Sequence, residues 1–135
     1  MTDAPAYAKI ALMSYTADPR ILFAAERTLL AWQRSALALM GFGFVVERFG
    51  LFLQLIAHQP VSGPQRIFSL TAGVLLLLLG AIVALISARQ FRQIAKNLDP
   101  AVVPPGYWTQ VGVVLNVLIA LIAVAFAVRF LWTGL

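Results

Sequence analysis

Arginine recurs at a fixed interval near the start of this sequence. Arg20, Arg27, Arg34 and Arg48 stand seven or fourteen residues apart, and Gly41 occupies the missing step. Residues three and four apart share one helix face. That face also carries Ala24, Ala31, Ala38 and Val45, so long basic side chains alternate with small ones. A guanidinium is permanently charged and grips carboxylate or phosphate through paired hydrogen bonds. The chemistry this pattern suits is the holding of an anion. Other chemistry has little to work with. There are five acids, one histidine and no cysteine. No metal-ligand spacing and no phosphate-cradling glycine loop occurs. His58 stands beside Gln59 and Pro60, where a solvated loop histidine is expected. Glu26 and Glu47 each precede an arginine, Arg27 and Arg48, and structural ion pairing is their expected role. The chain is therefore expected not to be an enzyme, and to need no metal or cofactor.

The elements that position these residues follow from composition. Hydrophobic residues make up 61 % of the 135 and charged residues 11 %, against about 25 % charged in soluble domains. A small soluble fold could not hide that much apolar surface; a bilayer removes the need. Two spans are plain. Ile67 to Ala88 and Thr109 to Val128 are charge-free runs of 22 and 20 residues, and roughly 20 apolar residues cross the hydrocarbon. The first span is less regular. Glu26-Arg27 and Glu47-Arg48 lie 21 residues apart, about 31 Å of helix. This places a membrane helix at about Thr28 to Val46 with a Glu-Arg pair near each interface. Asp18 suits a cap and Pro19 a first helical position, so the helix is expected to begin well before the membrane.

The reading is all-α: an integral membrane three-helix bundle with helices at about 19–57, 67–96 and 108–132, and a flexible segment over 1–17. His58 to Gln65 and Asn97 to Gly106 are read as loops from their prolines and glycines. Phe49, Leu51, Phe52, Leu55 and Ile56 suit an interface, as do Tyr107, Trp108 and Trp132. Seven Lys and Arg residues flank one side (Lys9, Arg20, Arg27, Arg34, Arg89, Arg92, Lys96) against three on the other (Arg48, Arg66, Arg129). The positive-inside rule then puts the N-terminus and the extension of helix one in the cytoplasm, and the C-terminus outside. The cell inner (plasma) membrane is the expected location.

Arg34 falls inside the first span, where an arginine at the bilayer centre costs about 2.5–3.5 kcal/mol. Two readings stay open. Arg34 snorkels to the interface while the stripe lies on anionic lipid, or the stripe lines a cytoplasmic vestibule. Arg89, Arg92 and Lys96, three and four apart, either signal orientation or join the same anion site. Helices two and three carry small faces: Gly73, Gly80, Ala84 and Ser87, then Gly112, Asn116, Ala120, Ala123 and Ala127. Such faces let membrane helices approach closely. Gly41, Gly73, Gly80 and Asn116 are the expected packing residues. Three helices enclose little interior, so self-association is expected.

The segment Asp18 to Gly50 resembles the YidH-like family of small bacterial membrane proteins. It is also similar to the three-helix membrane domain of the vacuolar transporter chaperone complex, a polyphosphate polymerase and translocase. The residues that carry the likeness are Arg20, Phe23, Glu26, Arg27, Thr28, Leu29, Leu30, Ala31 and Trp32, with Gly41 and Gly43 beyond them. The resemblance implies a ring of copies, five-fold among the options, around a pore with Arg20 and Arg27 near its mouth and Glu26 paired to a basic neighbour. Arg34 matches only the bacterial relatives. Ala25 and Gln33 depart from the pattern, and the catalytic domain of the eukaryotic system is missing, so no polymerase activity carries over.

Two functions follow as expectations. One is an oligomeric channel or translocation element for an anionic, polyphosphate-like solute. The other is a non-conducting scaffold or accessory subunit that binds anionic lipid or a cytoplasmic partner. Small-molecule efflux is weaker, for want of an acid within the spans. No nucleic-acid partner is expected.

Overall fold

The computed structural model describes residues 5, 7, 18–57, 63–98 and 108–134. Three helices account for nearly all of them: α1 (Pro19–Ala57), α2 (Gly63–Asn97) and α3 (Gln110–Gly134). All three are long and apolar enough to cross a membrane. In hydrocarbon a helix satisfies its own backbone, which is why this sequence takes no other form there. The expectations for residues 1–4, 6 and 8–17, and for His58 and Tyr107, fall outside the described residues.

Asp18 starts α1. Its Oδ1 accepts the Arg20 amide at 2.9 Å, and its carbonyl accepts the Ile21 amide at 3.2 Å. Pro19 sits where its missing N–H costs nothing. The second helix corrects the sequence reading. Gly63 and Pro64, expected in a loop, form the first turn of α2, again because proline fits that position. Hydroxyls along the helices bond back to their own backbone: Thr28 to Ala24, Ser35 to Ala31, Thr71 to Ile67 and Thr133 to Arg129, at 2.9–3.3 Å. No hydroxyl of these four depends on water.

α2 is the middle element, packed on both neighbours, while α1 and α3 touch little. The helices meet through positions spaced alternately three and four. On α1 these are Leu22, Glu26, Leu29, Gln33, Ala36, Met40, Gly43, Glu47 and Gly50, all buried or half-buried. On α2 they are Gly73, Leu77, Gly80, Ala84, Ser87 and Phe91; on α3, Asn116, Ala120, Ala123, Ala127 and Phe130. A 3.5-residue repeat is the coiled-coil seam. Two cores result. The central one is rich in alanine, with Met40, Leu77 and Phe130 as its large members. The other joins Leu22, Leu29, Phe91 and Leu98 at the Arg-rich end. There α1 continues as a packed hairpin with α2. It does not form a solitary amphipathic helix, because Leu22 is fully buried between them.

Candidate functional site

The seam and the arginine stripe occupy different sides of α1. Glu26 and Gln33 lie on the seam; Arg27 and Arg34 follow them by one residue, about 100° further round. All three of Arg20, Arg27 and Arg34 are exposed, and so are Ala24 and Ala31 between them and Ala38, Gly41 and Val45 beyond. No ion pair to these three arginines forms among the described residues. Arg89, Arg92 and Lys96 are exposed too, at the same end, on the last turns of α2.

Depth along the bundle follows from the contacts. A Cβ on Gly112 would meet Leu29 Cδ2 at 2.8 Å, so these two residues share a level. Arg34 lies five residues beyond Leu29, and its level on α3 is about 12 Å past Thr109 along the helix axis. The arginine is thus on the outer surface of the bundle within the apolar band.

Gly73 and Gly80 both lie against α1. A Cβ on Gly73 would meet the Gly43 carbonyl and Glu47 Cβ at 2.8 Å; one on Gly80 would meet Met40 Cγ at 2.7 Å and the Ala36 carbonyl at 2.8 Å. Gly41 makes no helix contact within the chain. Nothing lies within 4 Å of where its Cβ would be, because it belongs to the stripe and not the seam. Gly43 makes the contact instead: a Cβ there would meet the Gly73 carbonyl at 2.7 Å. Asn116 is fully buried, yet its amide donates to Gly112 of its own helix at 3.0 Å and its Oδ1 has no hydrogen-bond partner among the described residues. Sequence reading made Asn116 a packing residue; it is buried, with its amide turned to its own helix. Gln33, which the sequence marks only as a departure from the family pattern, is buried one turn beyond Leu29, near the level of Asn116.

The far end holds the expected Glu47–Arg48 pair. Arg48 Nε lies 3.2 Å from Glu47 Oε2, out of line for a hydrogen bond, so that buried oxygen has no donor among the described residues. The guanidinium sits 5.2 Å from the centroid of Phe130 and 5.9 Å from that of Phe44, rings that also pack on Phe126. This fixes Arg48 structurally, and separates it from the other members of the heptad. Glu26 is half-buried on the seam. No group of three or more potential metal ligands occurs among the described residues.

Residues 20–97 match the family described as a domain of unknown function, DUF202. The chain belongs to that family. The YidH-like proteins are this DUF202 family, so the likeness in the Arg20 to Trp32 core marks membership. The DUF202 match begins at the second residue of α1 and ends with α2, taking in the stripe, the seam and the Arg-rich end. No curated protein and no solved structure matches the chain. With three candidate spans, this DUF202 member is a multi-pass membrane protein.

Proposed function

We propose that the chain acts as a homo-oligomer in which Arg20, Arg27 and Arg34 face a shared axis and bind, then pass, an anionic solute. The observation that carries this is the exposure of the whole stripe on the side of α1 that α2 and α3 leave open. A lone chain would set Arg34 against lipid, at a cost of up to about 2.5–3.5 kcal/mol. A hydrated axis between copies relieves that cost, and the alanines beside the arginines let neighbours approach. A groove of about 300 Å³ between α1 and α3, lined by Leu37, Gly41, Phe44, Ile122 and Phe126, offers a seat for a helix of the next copy. The likeness of the Arg20 to Trp32 core to the vacuolar transporter chaperone domain, which family membership does not establish, makes phosphate chains the first solute to try. In this reading the Arg-rich end lies in the cytoplasm, the membrane is the inner (plasma) membrane, and the protein makes or breaks no bond.

A non-conducting scaffold binding anionic lipid or a cytoplasmic partner is the second reading. It is favoured by the dry interior of the single chain, where Gln33, Ser87 and Asn116 are the buried polar side chains among the described residues. Flux through reconstituted liposomes separates the two. Short phosphate chains should cross with the wild type, and Arg27→Ala should slow them about tenfold or more, since charge-lined openings raise local ion concentration by roughly 10- to 1,000-fold. No flux with the wild type would leave the scaffold; equal flux in Arg27→Ala would remove the stripe from the mechanism.

A further inference from the structure

A second basic feature lies away from α1. Where α2 ends and α3 begins, a cleft of about 350 Å³ opens between them, within the size range of ligand sites, roughly 300–1,000 Å³. Arg92, Lys96, Thr109 and Gln110 form its polar rim, and Phe91, Val113 and Val114 are among its apolar lining. No described residue of α1 lines it, so it stands apart from the arginine stripe.

We propose that this cleft binds a phosphate group at the membrane surface. Arg92 and Lys96 are four residues apart, on one face of α2, and both are exposed with no ion pair among the described residues. Neither α2 nor α3 contains an acid, so these elements offer the cations no internal partner. The rim also includes the start of α3, the partially positive end of its dipole, where the Val111 amide is already taken by the Trp108 carbonyl at 3.2 Å. No acidic side chain occupies that first turn. Guanidinium, ammonium and helix terminus thus converge from two elements on one opening, with two hydrogen-bonding side chains, Thr109 and Gln110, between them.

The phosphate could belong to a phospholipid head group or be free, and the cleft's shape bears on which. Its wall continues up α3 through Val114, Leu118 and Leu121, which are 53 %, 50 % and 61 % exposed and lie above one another. That is a track for an acyl chain leading away from a basic rim. A free anion would use the rim and leave the track untouched.

The test uses the full chain in detergent, titrated by native mass spectrometry with phosphatidylglycerol, phosphatidylcholine and inorganic phosphate in separate arms. Preferential retention of phosphatidylglycerol over phosphatidylcholine is expected. Arg92→Ala with Lys96→Ala should weaken it about tenfold or more, each basic residue near an anionic lipid surface being worth about fivefold. Arg129→Ala, at the opposite end, should leave it unchanged. Val113→Trp keeps both cations but fills the wall; it should lower lipid retention and spare inorganic phosphate if the lipid is the ligand, and spare both if only the free anion is. Equal retention of the two lipids together with no binding of inorganic phosphate would overturn the proposal. So would wild-type binding by the double variant, or an equal loss in Arg129→Ala.

Discussion

Gly41 and Gly43 are two residues apart and meet opposite surroundings, open space and the Gly73 carbonyl. The difference gives a direct expectation. Gly43→Ala and Gly73→Ala should each lower stability by about 1–3 kcal/mol, the cost of overpacking a tight contact, while Gly41→Ala leaves it unchanged; thermal unfolding in detergent reads all three. Gly41→Leu should keep the fold and weaken self-association, because it fills the groove offered to a neighbour. Asn116 argues the other way. Its Oδ1 is buried without a partner among the described residues, and an unsatisfied buried polar group costs about 1–3 kcal/mol. Asn116→Leu, of similar size, should therefore match or exceed wild-type stability; a clear loss would mean the oxygen has a partner in the assembled protein. The sequence makes small residues conspicuous but does not say which side of a helix has company. That needs the phase of the seam, and Gln33 on that seam hides its phase by being polar.

α1 carries two patterns at once. Its arginines repeat every seven, and its contact face repeats at three and four, offset by one residue. The first is easily seen in the sequence because charge in an apolar helix stands out; the second is blurred by Glu26, Gln33 and Glu47, which sit among the apolar positions. Helix length was legible from the Asp18-Pro19 start, since capping is local chemistry. The entry to α2 was not, because Pro64 reads equally as loop or first turn. The packed ends of α1 and α2 at the Arg-rich end make their own prediction. Phe91→Ala should cost about 3–5 kcal/mol as a buried aromatic truncation, with the loss concentrated around Leu22, Leu29 and Leu98. Hydrogen exchange should then speed over 19–29 and 89–97 and change little over the central alanine core. Uniform acceleration along all three helices would mean the two cores do not open separately.

At the scale of the molecule, the bundle is thin. α2 is covered on two sides, α1 and α3 on one each, and most of the apolar surface faces outward, as suits lipid. Arg34 alone breaks that logic within the band. Replacing it with leucine should leave the three-helix fold intact, ease membrane insertion, and abolish anion flux if the stripe faces an axis. The basic end was legible in sequence as charge; a second copy, if present, leaves no mark that one chain's periodicity separates from packing within the chain. Copy-to-copy contact along α1 is therefore the point to measure. The chain has no cysteine, so an introduced one is the sole thiol. Ala31→Cys, between Arg27 and Arg34, should form a disulfide-linked dimer when membranes are oxidised. Leu79→Cys, 48 % exposed on α2 in its wild-type form, should not. Ala31→Cys that stays monomeric under oxidation, while Leu79→Cys links, would contradict an assembly built around the arginine face of α1.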